Sequence, residues 1–235
     1  MSITAVTWNI HGSGRPDVAV ICELLRGFSP DVVALQEVRR AQAGALAQSL
    51  GWATAHWSFK HWPIPSPAEG LAVLSPHRLV DAETVTLSTW EPPWTYRRRI
   101  AQLCALDAGG SELRLTNTHL ASDDANARRA QAERLLARVR PDSFLAGDLN
   151  ARPGGAALQL LLDAGLRDAA ATEGATNWRP GDPDDRPTNR IDYVLVPAGS
   201  LVVAATVPSS ADSDLTAYRR LSDHLPVRAE VEISA

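Results

Sequence analysis

The sequence predicts an α/β fold in which mixed β-sheets carry helices on their outer faces, and three observations support that. Short apolar runs of strand character outnumber the helical patterns. About four helical patterns are spread among the strands rather than grouped at one end. Some strands are joined through helices and others through tight turns, so parallel and antiparallel neighbours must coexist.

Taken in order, Ile3 to Asn9 reads as a strand. Asp17 to Arg26 is amphipathic and follows Pro16, a residue suited to a first helical turn; Gly27 is expected to end this helix. Asp31 to Gln36 is a short apolar strand, and Ala41 to Leu50 is a second helix closed by Gly51. Strands follow near Ala53 to Phe59, Leu71 to Leu74 and Leu79 to Leu87. Ile100 to Leu106 and Leu113 to His119 form a hairpin around Gly109-Gly110. Asp123 to Val139 is a long helix with Arg128, Arg129 and Arg134 on its outer face. Ser143 to Ala146 is a strand that runs into Gly147-Asp148-Leu149-Asn150, and Ala156 to Ala164 is a helix. Arg190 to Val196, Leu201 to Val207 and Val227 to Ile233 complete the strands. No repeat, low-complexity tract or linker interrupts the chain, so residues 1–235 read as a single domain. The proline-rich stretches Pro63 to Pro67, Pro92 to Pro93 and Pro180 to Pro187 read as loops around a site.

Composition narrows the function classes. With 45% hydrophobic and 21% charged residues, the chain is ordinary for a globular protein and can build a real core. No apolar run approaches the roughly 20 residues of a membrane span. The 23 basic and 27 acidic residues leave a net charge of −4, which argues against a strong grip on long duplex DNA. Lys60 is the only lysine, which reads as compositional bias toward arginine. Cys22 and Cys104 show no metal-ligand spacing, and the N-terminus has no secretory pattern; both point to a reducing cytoplasm. A monomer without an obligate protein partner is the expectation.

Polar residues recur where the strands end. These are Asn9, Glu37, His119, Asp148 with Asn150, Asp192, and the Asp223-His224 pair before the last strand. Such groups, brought together from distant parts of a chain, are how α/β enzymes build sites. Glu37 and Asp223 are hard oxygen ligands and Asn9 adds an amide oxygen, a set suited to Mg²⁺, with Mn²⁺ as a substitute. Asp148 and Asn150 are two apart, so in extended chain they share a face and could hold and deprotonate a water. His119 and His224 suit stabilisation of charge at phosphorus, and Asp192 could fix the His224 tautomer.

The strings TWNI (7–10), LQEV (35–38), EGLAVLS (69–75), NTHL (117–120), GDLN (147–150), RIDYV (190–194) and SDHLPV (222–227) resemble the endonuclease/exonuclease/phosphatase superfamily, which includes deoxyribonuclease I. All seven occur in the family's order. The resemblance implies a four-layer α/β sandwich, two mixed β-sheets packed face to face and flanked by helices, with Mg²⁺-dependent hydrolysis of a phosphoester at one edge. By similarity, Asn9, Glu37 and Asp223 fall on the metal side, Asp148 on the water-activating position, Asn150 beside it, and Asp192 with His224 on the Asp–His pair. His119 falls on the second histidine, Glu69 on a partner for His119, and Arg99 on a phosphate-contacting arginine; Arg97 and Arg98 leave that register open. Asn117 is expected behind the reacting groups rather than among them.

The NTHL string departs from the tyrosine-bearing one of the apurinic endonucleases. The similarity therefore leans toward the deoxyribonuclease I, tyrosyl-DNA phosphodiesterase, deadenylase and sphingomyelinase side. A nuclease or phosphodiesterase is the favoured expectation, with nucleic acid as one candidate partner. A phosphatase or phosphodiesterase on a small metabolite or lipid headgroup is the alternative, and a non-catalytic binding module is the rival from another class. Trp62, Trp94 and Trp178, which lie among prolines, are candidates for a stacking wall, whereas Trp52 and Trp57 read as packing. Asp182 to Arg186 reads as a solvated loop, and Gly12-Ser13-Gly14 is too short for a phosphate cradle.

Overall fold

The computed structural model describes residues 1–62, 67–89, 92, 94–95, 98–211 and 213–232. Pro63, Pro93, Arg97 and Ile233, named above, lie outside the described residues, as do Pro65 and Trp90.

Twelve strands divide between two sheets of six. The first contains β1 (Ser2–Asn9), β2 (Val32–Arg39), β3 (Thr54–His61), β4 (Glu69–Ser75), β11 (Leu201–Thr206) and β12 (Val227–Glu232), in the order β11-β12-β1-β2-β4-β3. The second contains β5 (Arg78–Thr86), β6 (Ile100–Ala108), β7 (Ser111–His119), β8 (Phe144–Asp148), β9 (Leu166–Asp168) and β10 (Asp192–Pro197), in the order β5-β6-β7-β8-β10-β9. Both are mixed. β1 and β2 run parallel across helix α1 (Val18–Phe28), and β7 and β8 run parallel across helix α3 (Ala125–Leu136). The hairpins, including β6–β7 around Gly109 and Gly110, are antiparallel. The connection type expected from sequence therefore sets the strand direction.

The sheets pack face to face: β1 lies on β8 and β10, and β4 on β6 and β7. Helices α1 and α2 (Arg40–Leu50) pair outside the first sheet; α3 and α4 (Ala156–Asp163) pair outside the second. Ile21, Cys22 and Leu25 of α1 join the larger core, which also fills the space between the sheets. Ala132 and Leu135 of α3 and Leu158 and Leu161 of α4 form a second core with Leu145, Tyr193 and Leu195. This is the four-layer α/β sandwich. Among the described residues no helix is long and apolar enough to cross a membrane. Cys22 and Cys104 are buried and free.

Some boundaries and faces differ from expectation. Gly27 does not end α1: the helix runs to Phe28, and Ser29 takes the left-handed cap position at φ 48°. α3 is shorter than Asp123 to Val139, because Asp124 caps it by accepting from the Asn126 and Ala127 amides. Arg128 and Arg134 do not lie on a solvated face. Arg128 donates to the Ala121 carbonyl at 2.9 Å and to that of Asn150, and Arg134 to the Leu87 carbonyl at 2.5 Å. Arg129 stays exposed beside Glu133 at 3.1 Å. The short β9 and helix α5 (Leu215–Leu221) have too few residues to show a period in sequence. α5 buries Leu215 and Tyr218, with Tyr218 6.0 Å from the Trp8 ring.

Candidate active site

Register brings the polar strand ends together. Across the parallel β7–β8 pair His119 stands opposite Asp148, and across the antiparallel β8–β10 pair Asp192 stands opposite Asp148. Gly147 permits the first contact. It adopts φ +149°, and a Cβ there would lie 1.9 Å from the Thr118 carbonyl oxygen, so only glycine lets β8 approach β7 this closely. From the first sheet, Asn9 arrives at the end of β1, and Glu37 sits where the β2–β4 register shifts, at φ 51°. A left-handed non-glycine residue at a bulge re-aims a side chain at a local conformational cost. Here the Glu37 side chain faces a cleft of about 390 Å³.

Asp148 is the hub of this cleft. Its Oδ1 accepts from the Asn150 amide at 2.9 Å and its Oδ2 from Nδ2 of Asn9 at 3.2 Å. The Nε2 atoms of His119 and His224 lie 3.5 and 3.8 Å from the same Oδ2. Burial pushes the Asp148 carboxyl up to about 7 and the Asp192 charge adds to this, while His224 and the Asn150 and Asn9 donors restrain it.

The two histidines differ in what backs them. Nδ1 of His224 lies 2.9 Å from Oδ2 of Asp192, which also accepts from the Thr176 hydroxyl at 2.7 Å. Burial by itself lowers His224, but the Asp192 and Asp148 carboxylates outweigh it and lift the imidazole to about 10. Nδ1 of His119 instead lies 3.5 Å from the Lys60 ammonium. Burial, Lys60 and Arg99 hold His119 well below its ordinary value. The two rings are thus pushed in opposite directions, His224 toward its protonated form and His119 toward its neutral one.

Several expected residues sit differently. Asn150 is not extended: it is left-handed at φ 49°, its amide folds back on Asp148, and its Nδ2 donates to the Leu120 carbonyl at 3.0 Å. The strand ends at Asp148, so the same-face argument for residues two apart does not apply. Asn9 points its amide nitrogen at Asp148, while its Oδ1 accepts from the His11 amide at 3.1 Å. Asp223 lines the cleft at its half-exposed rim, 3.6 Å from Nδ1 of His11. Glu69 is buried in the cleft without a hydrogen bond or ion pair to His119; its Oε1 has no hydrogen-bond partner. Burial and the neighbouring Glu37 raise its carboxyl, against the pull of Lys60. Arg99 is buried and lines the same wall.

Asn117 does not reach the cleft. It bridges the two sheets, donating to the Leu35 and Ala72 carbonyls at 3.1 and 3.0 Å and accepting from Gln36 at 2.8 Å. Trp178 is buried and donates to the Pro183 carbonyl, so it is a packed ring at the cleft edge. Trp62 and Trp94 are exposed. Trp52 and Trp57 pack against the larger core. Asp182 organises its own loop by accepting from Arg179 and Thr188. Among the cleft residues that sequence reasoning passed over is Lys60. The signal was present: a single lysine among 23 basic residues, here 2% exposed and inside the cleft.

Two groupings could hold a divalent cation. Asp148, Asp192 and His224 offer ligand atoms within 4.8 Å of one another. In that group Nδ1 of His224 already lies 2.9 Å from Oδ2 of Asp192, so Nε2 is the nitrogen left to face a cation. Glu37 and Glu69 form the second grouping: the Glu37 charge adds to burial in raising the Glu69 carboxyl, and a buried Glu69 oxygen lacks a hydrogen-bond partner.

The comparisons with known proteins agree with this architecture. An endonuclease/exonuclease/phosphatase family protein from Leptotrichia buccalis superposes with a TM-score of 0.79 at 19% identity, covering 98% of this chain and 100% of that one. The mannosyl-6-phosphatase of Bacteroides thetaiotaomicron gives 0.74 at 18% identity over 98% and 100% of the two chains. TDP2 of D. rerio, solved with a single-strand DNA product, gives 0.72 at 18% identity over 99% of each. No curated protein sequence matches the chain significantly. Residues 6–224 match the Endonuclease/Exonuclease/phosphatase family, and the chain belongs to that family.

Proposed function

We propose that this protein is a Mg²⁺-dependent phosphodiesterase, most simply a nuclease, in which Asp148 activates the attacking water. The observation that carries this reading is the convergence of Asn9, Asn150, His119 and His224 on the single buried Asp148 carboxylate. A base works best with a pKa near the operating pH, and Asp148 is pushed up to about 7. The Asn150 amide and Asn9 hold its two oxygens, so the carboxylate is aimed before substrate arrives. The His224 imidazolium, kept in one orientation by Asp192, the neutral N–H of His119 and the Arg99 guanidinium face the charge that develops on the phosphoryl oxygens.

Glu37 is the residue we assign to the metal, with Glu69 behind it and Asn9 and Asp223 lining the same cleft. A bound Mg²⁺, or Mn²⁺ in its place, supplies Lewis acidity toward a phosphoryl oxygen. Among the described residues no serine or cysteine lines the cleft apart from Ser122, whose side chain is exposed, so direct attack by water is the economical route. We assign the activity to one domain that works as a monomer. Two buried free thiols suit a reducing cytoplasm.

Nicking of supercoiled plasmid by the purified protein with Mg²⁺ tests the reading. Wild type should nick, whereas EDTA and Asp148→Asn should both prevent it. The net charge of −4 and the small cleft favour a second reading, a phosphatase or phosphodiesterase on a small phosphoester. Turnover of aryl phosphomonoesters or diesters without plasmid nicking would select it. No turnover of any phosphoester would leave the non-catalytic binding module.

A further inference from the structure

Asn150 is pinned through its amide, its carbonyl and its side chain. The amide donates to Oδ1 of Asp148 at 2.9 Å, Nδ2 donates to the Leu120 carbonyl at 3.0 Å, and the carbonyl accepts from Nη1 of Arg128. The same Nη1 donates to the Ala121 carbonyl at 2.9 Å and lies 3.4 Å from the Ser122 carbonyl oxygen. One guanidinium nitrogen therefore ties the loop that follows His119 to the loop that follows Asp148.

The tie falls where the backbone needs it. Asn150 is left-handed at φ 49°, and a non-glycine residue keeps such a conformation when its surroundings fix it. A charged donor holds a carbonyl more firmly than a neutral one does. Burial lowers Arg128 from its ordinary value, and the carboxylates that oppose this are Asp148 first, then Asp124 and Asp123.

Helix α3 has other anchors. Ala132 and Leu135 lie in the second core, Asp124 caps the first turn, and Oε1 of Gln131 accepts from the Ala121 amide at 2.9 Å. Docking of the helix therefore does not account for the reach of Arg128 to Asn150. Nor does Arg128 line the cleft around Asp148; it lines a neighbouring cavity of about 390 Å³ together with Arg152. Its route to the reacting groups runs through Asn150.

We propose that Arg128 is a positioning residue for the reaction. By clamping the Asn150 carbonyl to the loop after His119, it keeps the Asn150 amide on Asp148 and so keeps the water-activating carboxylate aimed. This rests on the reading of Asp148 as the base and deepens it.

Two readouts on Arg128→Met test this, one of them independent of turnover. Steady-state kinetics with Mg²⁺ give kcat and KM, and hydrogen exchange followed by NMR compares the Asn150 amide with that of Leu149, which donates to the Ile191 carbonyl instead. The variant should lose about tenfold or more in kcat with KM within about twofold of wild type. Its Asn150 amide should exchange about tenfold faster, with Leu149 changed by less than about twofold. Arg129→Ala, on the exposed face beside Glu133, should match wild type in both readouts. Melting curves confirm folding, and Arg128→Gln carries the same test if Arg128→Met does not fold. Unchanged exchange at Asn150, or unchanged kcat in an active enzyme, overturns the proposal. So does an equal rise in exchange at Leu149, which would mean general loosening, and so does a rise in KM at constant kcat, which would place Arg128 on the substrate. If wild type turns over no phosphoester while Asn150 alone exchanges faster in the variant, the clamp on Asn150 stands and the phosphoesterase reading falls.

Discussion

Nδ2 of Asn9 lies 3.2 Å from Oδ2 of Asp148, and this hydrogen bond joins the two sheets at the edge where the cleft opens. Asn9 ends β1 in one sheet and Asp148 ends β8 in the other. The carboxylate that we assign as base is thus aimed by a residue 139 positions away. Asp148→Asn should lower kcat by about 10²- to 10⁴-fold, the range a general base contributes. The variant should still fold, because burial already disfavours the charged carboxyl, although its amide can accept only one of the bonds that Asn150 and Asn9 donate. Steady-state kinetics and a thermal melt check both parts.

The Asp192–His224 pair makes a pH prediction. His224 is raised in the folded state to about 10, above its ordinary value near 6.5. The stabilisation from its proton is then fully present below about pH 6.5 and is lost as pH rises through about 10. Asp192→Asn removes the partner that raises it, so the variant should lose less stability than wild type over about pH 8 to 10. Urea unfolding midpoints across that range test the difference.

Asn117 separates structure from function. Its amide satisfies the Leu35 and Ala72 carbonyls and contacts Gln102 between the sheets. Asn117→Leu strands those buried groups and should cost about 2–4 kcal/mol of stability. The kcat per folded molecule should stay close to wild type. Denaturant titration and active-site-normalised kinetics distinguish this from a role in the reaction.

Metal dependence should centre on Glu37. EDTA should abolish turnover, and excess Mg²⁺ should restore it. Glu37→Gln should raise the Mg²⁺ concentration needed for half-maximal activity by about tenfold or more, since a ligating carboxylate is lost. A Mg²⁺ titration of initial rates reads this directly. An unchanged midpoint would remove Glu37 from the metal.

The sequence carried much of the fold because its signals are local. The alternation of helical and tight-turn connections specified mixed sheets, and Gly51 and Gly109-Gly110 marked turns where the structure has them. The strand-end residues were likewise visible as polar breaks after apolar runs. What escaped was whatever depends on a neighbour in space. The length of α1 past Gly27 depends on Ser29 accepting a left-handed cap. The inward turn of Arg128 and Arg134 depends on carbonyls of the loops they reach.

The candidate site divides along the same line. Sequence by itself determined which residue types end the strands, and so that carboxylates, amides and imidazoles would meet at one edge. Only the tertiary structure decided which atom each of them presents. It turned the nitrogen of Asn9 to Asp148, folded Asn150 back through a left-handed turn, placed Asn117 between the sheets, and put Lys60 rather than Glu69 beside His119. The physical reason is that residue type is a property of one position. Side-chain orientation and charge state follow from burial and from partners that register and bulges bring in from the other sheet.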